Sequence, residues 1–209
     1  MVYVSLTNRK LNGLSNFIGL ANYANMFSNR TFLNSLKVTI VYTIFSTLIT
    51  TIWALFLASL LQSKHKLNGV FQFFYFLPSV VPSVSLAYTF RTIFGKDAGL
   101  FNGFLSNLLN KNIAVNWLFD ANTIYLVIFF ISLFTYNTGQ MMLIFRTSLS
   151  DVPSELYEAC DIDGAGWWKK FRNVTLPMIS PVLLFNAVSS CIQALNGSFA
   201  LLFPLTTEN

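Results

Sequence analysis

Long apolar runs set the rhythm of this chain. Leu36 to Gln62 carries only Lys37 at its edge. At about 1.5 Å per residue, a helix of that length crosses a hydrocarbon core of about 30 Å. The same pattern predicts three more spans, at 70–94, 123–146 and 179–203. Polar stretches separate them: 1–35 before the first, a short link after it, 95–122 after the second, 147–178 after the third, and the tail 204–209. The expected fold class is therefore all-α, a polytopic membrane helix bundle.

Two spans carry interruptions. Pro78 and Pro82 stand four residues apart in Phe76-Leu-Pro-Ser-Val-Val-Pro82. Each removes a backbone donor and crowds the turn before it, so this helix should kink or break. Two readings stay open: a plain kink, or a deformed helix that lines a path or forms a gate. Asn196 and Gly197 interrupt the last run. In 95–122 the turn-rich Gly99-Leu-Phe-Asn102-Gly103 predicts a loop, and Trp117 marks a short interfacial segment.

The stretch 147–178 is the long, charge-dense break in the apolar second half. Glu155, Glu158, Asp161 and Asp163 crowd its first part; Lys169, Lys170 and Arg172 crowd its second. Asp151 is placed to cap a helix with Pro153 in its first turn. Val152, Leu156, Ala159 and Cys160 fall on one face of that helix, the acidic residues on another. Gly164 offers the turn that ends it. A second short helix with Trp167, Trp168 and Phe171 on one side should follow, and Pro177 should start the last span. The spacing predicts a helix-turn-helix hairpin between two membrane segments.

Composition agrees: 54% of residues are hydrophobic and 10% charged, against about 25% charged in soluble domains. The net charge of +5 comes from Lys and Arg gathered at segment ends, which suits a membrane and not a nucleic acid. If the hairpin is cytoplasmic, that side holds Lys64, Lys66, Arg146, Lys169, Lys170 and Arg172, in shorter loops than the seven cations opposite. The positive-inside rule leans toward that orientation. His65, among lysines in the first link, reads as an interfacial side chain. Cys160 and Cys191 have no zinc spacing, and neither metal nor cofactor is expected. There is no Gly-x-x-x-x-Gly-Lys-Ser/Thr phosphate loop. The chain reads as a non-enzyme with no catalytic residue.

The hairpin resembles a known signature. Glu158-Ala159-Cys160, Gly164 and Val174-Thr175-Leu176-Pro177 keep the spacing of the EAA motif of inner-membrane permease subunits of ATP-binding-cassette importers. Leu149-Ser-Asp-Val-Pro153 and Asp163-Gly164-Ala165 agree with its flanks. Phe17-Ile-Gly-Leu-Ala-Asn-Tyr23, the Pro78–Pro82 segment and Gly99-Leu-Phe-Asn102 are similar to the carbohydrate-uptake branch.

The resemblance implies four transmembrane helices of a six-helix permease core, in a chain truncated at both ends. It implies a multi-pass protein of a prokaryotic cell membrane. It also implies partners: a cytoplasmic ABC ATPase dimer that hydrolyses ATP, a second permease subunit, an extracytoplasmic solute-binding protein, a carbohydrate substrate and membrane lipid. The ATPase-docking loop would use Glu155, Glu158, Ala159, Cys160, Asp163, Gly164, Leu176 and Pro177. Polar positions inside the last two spans give candidates for a solute path: Tyr136, Asn137 and Gln140, then Asn186, Ser189, Ser190, Gln193 and Asn196. Of these, Asn137, Gln140, Ser190, Gln193 and Asn196 are the path residues expected. No charged residue lies deep in either span, which suits a neutral, hydroxyl-rich solute. Interhelical hydrogen bonding explains the same residues equally well. Alternatives for the whole chain are a permease for amino acids, peptides or phosphate, or a membrane fragment that does not transport.

Overall fold

The computed structural model describes residues 2–9, 15–62, 66–96, 99–120, 123–134, 136–196 and 205. Two compact units divide the chain, Met1–Tyr42 and Thr43–Asn209.

The first unit opens with a single helical turn, α1 (Val2–Ser5), and an antiparallel pair, β1 (Thr7–Arg9) and β2 (Ser15–Phe17), with Asn8 opposite Asn16. Helix α2 (Ala21–Ser28) is tied back by Asn22, whose Nδ2 donates to the carbonyls of Ser5 (2.8 Å) and Thr7 (3.2 Å). Helix α3 (Arg30–Leu60) starts before the apolar run does. Its capping residue is Asn29, whose Oδ1 accepts from the backbone N–H of Thr31 at 2.9 Å and Phe32 at 3.4 Å.

Every regular element of the second unit among its described residues is a helix. After α3 come α4 (Asn68–Phe76), a 3₁₀ turn (Leu77–Ser79) and α5 (Ser83–Phe94). The expected second span is thus two helices bent by 100° at the prolines. Pro82 takes an extended ψ of 136° and α5 starts immediately after it, as the steric rules for proline require. Helix α6 (Leu100–Leu109) occupies part of the segment expected to be a loop. The correction has a physical cause. Buried Asn102 reads as a turn residue but serves as a brace: its Nδ2 donates to the carbonyls of Gly95, Lys96 and Val115, and its Oδ1 accepts from Trp117 Nε1 at 2.7 Å. Trp117 therefore turns toward α6 and stacks edge-on against Phe101. The third span divides into α7 (Ile124–Leu133) and α8 (Tyr136–Ser150), bent by 45°.

Helices α9 (Ser154–Ile162) and α10 (Trp167–Lys170) form the hairpin. A π-turn (Phe171–Thr175) joins α10 to α11 (Leu176–Asn196) without interruption. Among the described residues, Arg30–Leu60 and Trp167–Asn196 are long and apolar enough to cross a membrane, and each bent pair could supply one more span.

The main core gathers Ala54 and Ala58 of α3, Met141, Met142 and Phe145 of α8, and Ile179 of α11. A second cluster packs Ala87 and Phe94 of α5 against Val127 and Ile131 of α7. Large apolar side chains such as Ile44, Leu48 and Ile52 on α3 and Leu184, Phe185 and Val188 on α11 point outward. That arrangement suits lipid, which solvates them as well as a core does.

Candidate functional site

The hairpin is built by local rules. Pro153 itself occupies the N-cap position of α9, with φ −58° and ψ 132°, and no side chain caps the helix. Asp151 instead ends α8, its N–H donating to Thr147 O at 3.1 Å. The expected Asp151 cap is therefore replaced by a proline-enforced start. At the other end Gly164 has φ +67°. Its N–H donates to Asp161 O (3.0 Å), and Ala165 N–H donates to Cys160 O (2.9 Å). This is the Schellman pattern, in which a left-handed glycine closes the helix and satisfies its last carbonyls.

The face that α9 buries also differs from expectation. Val152 and Cys160 turn inward, but Leu156 and Ala159 are exposed. Tyr157 takes the inward place because its hydroxyl meets Thr175 Oγ1 at 2.9 Å. Glu155, Glu158, Asp163 and Gly164 are exposed as well. Ile162 projects almost fully, at 88% exposure, and Trp167 is 73% exposed. The hairpin thus presents carboxylates beside uncovered apolar side chains. Lys170 pairs with Asp161 across the two arms, the one ion pair among the described residues. Trp167, Trp168 and Phe171 lie on one side as their spacing predicted, both tryptophans stacking on Phe171.

Pro177 does not start the last span. Trp167–Asn196 is one helix of 30 residues, about 45 Å long. A proline inside a helix forfeits one hydrogen bond and presses on the carbonyl four residues back. Here the π-turn widens the helix just before Pro177, with Leu176 N–H donating to Phe171 O five residues back. Further on, Pro181 would strand the Pro177 carbonyl, and Ser180 Oγ donates to it at 2.8 Å. The second arm of the hairpin and the candidate membrane span are therefore one continuous helix. Of the remaining docking candidates, Leu176 is half-buried and Pro177 exposed.

The polar positions of the spans divide. Ser190 and Asn186 are buried on one face of α11, and Ser190 Oγ meets Thr50 Oγ1 of α3 at 3.1 Å. Gln140 and Gln193 are half-buried, and Asn196 is exposed. The Asn137 side chain lies outside the described residues. The structure adds what the sequence reading missed: Thr43, Ser46, Thr47, Thr50 and Thr51 share one face of α3. Their spacing of three and four residues was the signal that could have found them.

The two broken spans meet. Tyr75 of α4 accepts from Trp53 Nε1 and donates to Leu133 O at 2.9 Å, at the bend between α7 and α8. Thr138 Oγ1 donates to Ser132 O at 2.8 Å across that bend. Gly139 of α8 lies against the 3₁₀ turn, where a Cβ would stand 3.3 Å from Ser79 Cβ and Tyr75 O.

Comparison with known proteins places these features. Residues 50–208 match the family described as binding-protein-dependent transport system inner membrane component. The chain is 33% identical over 190 residues to the trehalose/maltose transport system permease protein MalF of Thermococcus litoralis, covering 91% of this chain and 63% of that protein. It is 31% identical over 195 residues to the probable ABC transporter permease protein YesP of Bacillus subtilis, covering 92% and 62%. Against the arabinooligosaccharides transport system permease protein AraP of Bacillus subtilis it is 33% identical over 193 residues, covering 91% and 60%. The chain thus spans less than two thirds of the length of these relatives. A bacterial ABC transporter involved in the import of the acidic polysaccharide alginate superposes with a TM-score of 0.80 at 20% identity, over 91% of this chain and 66% of that one. At that identity the likeness concerns the fold.

Proposed function

The chain belongs to the family of binding-protein-dependent transport system inner membrane components, and from that membership we propose that it serves as a permease subunit of an ATP-driven sugar importer. In this reading residues 147–178 face the cytoplasm and dock on an ABC ATPase dimer. A second permease subunit completes the path, and a solute-binding protein delivers a sugar or related carbohydrate from outside. The observation that carries the proposal is the hairpin itself. Glu155, Glu158, Ala159, Asp163 and Gly164 are exposed on a rigidly capped helix, and its second arm is continuous with a membrane-crossing helix. The carbohydrate class is supported by sugar permeases among the relatives, which include the MalF and AraP proteins.

Mechanistically, closure of the ATPase dimer on ATP would push a hairpin whose two arms are tied to each other. Tyr157 with Thr175 and Lys170 with Asp161 lock the two arms, so displacement passes along the helix through the π-turn into α11. Glu158 supplies a carboxylate for a cationic group on the ATPase, and small Ala159 lets the surfaces approach. The polar faces of α8 and α11, including Asn137, Gln140, Ser190 and Gln193, contribute to the path, with Asn196 toward its end.

The test is reconstitution of the importer with its ATPase, second permease and binding protein. Glu158→Lys should insert normally yet abolish solute-stimulated ATP hydrolysis and uptake. Wild-type uptake by Glu158→Lys would remove the docking assignment.

A further inference from the structure

Helix α3 holds a set of hydroxyls that behave unlike their neighbours. A threonine or serine in an apolar helix ordinarily donates to a carbonyl one turn back. Thr39 does so to Ser35 O at 2.9 Å, Thr50 to Ser46 O at 2.7 Å and Ser59 to Leu55 O at 2.9 Å. Thr43, Thr47 and Thr51 do not. Their Oγ1 atoms are buried and find no partner among the described residues. They stand four residues apart, in one row along the helix. Thr43 and Thr51 are themselves more than nine-tenths buried.

The opposing helix repeats the pattern. Thr50 lies beside this row, and its contact with Ser190 sets which face of α11 α3 meets. One turn from Ser190 on that face stands Asn186, 1% exposed, its Nδ2 also unpartnered among the described residues. Buried donors are nearly always satisfied, so each exception calls for a cause. Four on two helices whose polar faces meet at Thr50 and Ser190 call for a common one. No Asp, Glu, Lys or Arg occurs in residues 43–60 or 176–196, so a charged ligand would meet no counter-charge.

We propose that Thr43, Thr47 and Thr51 of α3, with Asn186 of α11, line the solute path and exchange hydrogen bonds with an uncharged, hydroxyl-rich solute. The inference rests on the importer reading above and adds a third helix to the path. A hydroxyl row suits this class: each threonine both donates and accepts, and successive one-turn spacing of about 6 Å allows partners to be exchanged as the solute advances.

The experiment is thiol accessibility in the assembled transporter, on a Cys160→Ala, Cys191→Ala background. Single cysteines replace Thr43, Thr47 or Thr51, and, as controls on the outward face, Ile44, Leu48 or Ile52. The probe is a trimethylammonium-ethyl methanethiosulfonate, which reacts with thiolates only where water reaches. Modification at the row should run at least about tenfold faster than at the controls. Rates equal to the controls would overturn the proposal and leave the hydroxyls as dry helix packing. If a threonine replacement fails to insert, Ser46→Cys, on the same buried face, reads the same comparison. A dry row with coupling lost in Glu158→Lys would remove this inference alone. A wet row with coupling intact in Glu158→Lys would retain the path and remove the docking assignment.

Discussion

The hairpin at 154–170 and the junction where the two broken spans meet solve the same problem by opposite means. Both must end helices without stranding backbone groups. The hairpin does so within its own sequence: Pro153 starts α9, Gly164 ends it, and the freed carbonyls are bonded within five residues. The junction does so across the fold. The Leu133 carbonyl at the α7–α8 bend is satisfied by Tyr75, 58 residues earlier, and the 3₁₀ turn after Pro78 is covered by Gly139 of α8. A hairpin that stands at the surface is capped from within its own sequence. A part that lies among spans depends on its neighbours, because lipid offers no hydrogen bonds.

The sharpest way to break this comparison is to fill the junction. Gly139→Leu would drive a branched side chain into the Tyr75–Phe76 backbone and the Ser79 side chain, where even a Cβ stands 3.3 Å from Tyr75 O and Ser79 Cβ. Overpacking typically costs about 1–3 kcal/mol, and contact with the backbone of Tyr75 and Phe76, which cannot swing aside as a side chain can, places this substitution at the top of that range. Thermal unfolding in detergent should show the midpoint falling well below that of the parent, with Gly139→Ala intermediate. An unchanged midpoint for Gly139→Leu would mean that α8 and the 3₁₀ turn part readily.

Glycine at 164 tests the local half. Its φ of +67° lies in the left-handed region, which costs an L-residue roughly 1–2 kcal/mol. Gly164→Ala should therefore destabilise by less than Gly139→Leu, and the loss should be confined to the hairpin. Amide exchange at Gly164 and Ala165 should accelerate while the spans keep their protection. Gly164→Asn should lose less, since asparagine tolerates that conformation. Equal exchange in all three would show that another contact holds the turn.

The same division explains what could be read in the sequence. Hydropathy marked the apolar segments that became α3, α4, α5, α7, α8 and α11, because lipid exposure leaves a direct compositional mark. The turn at Gly164 was legible because glycine there reflects backbone geometry alone. The inward face of α9 was not: Leu156 fits the apolar pattern, yet Tyr157 is the half-buried side chain because Thr175 waits eighteen residues away. Asn102 in α6 misled for the same reason, its partners Val115 and Trp117 being thirteen and fifteen residues distant. The uninterrupted helix through Pro177 was hidden too, since the π-turn and the Ser180 hydroxyl that accommodate Pro177 and Pro181 follow no simple residue rule. Among the candidate path residues, the polar side chains of α11 stood out against their apolar neighbours. The threonines of α3 did not, because threonine counts as nearly neutral in hydropathy.

The smallest effect is expected where the hairpin's two arms are tied by charge. Asp161 is largely exposed, with 64% of its side chain accessible, while Lys170 is 22% accessible. An exposed pair contributes about 0.2–1 kcal/mol and is screened by salt. Asp161→Asn keeps the shape and removes the charge, so it should lower the unfolding midpoint slightly at low ionic strength and not measurably at high salt. The Tyr157–Thr175 contact, half-buried and uncharged, should be insensitive to the same change in salt. Measuring Asp161→Asn and Tyr157→Phe at both ionic strengths separates the two ties. If the arms stay together in each single variant and part only in the double, the hairpin is held redundantly.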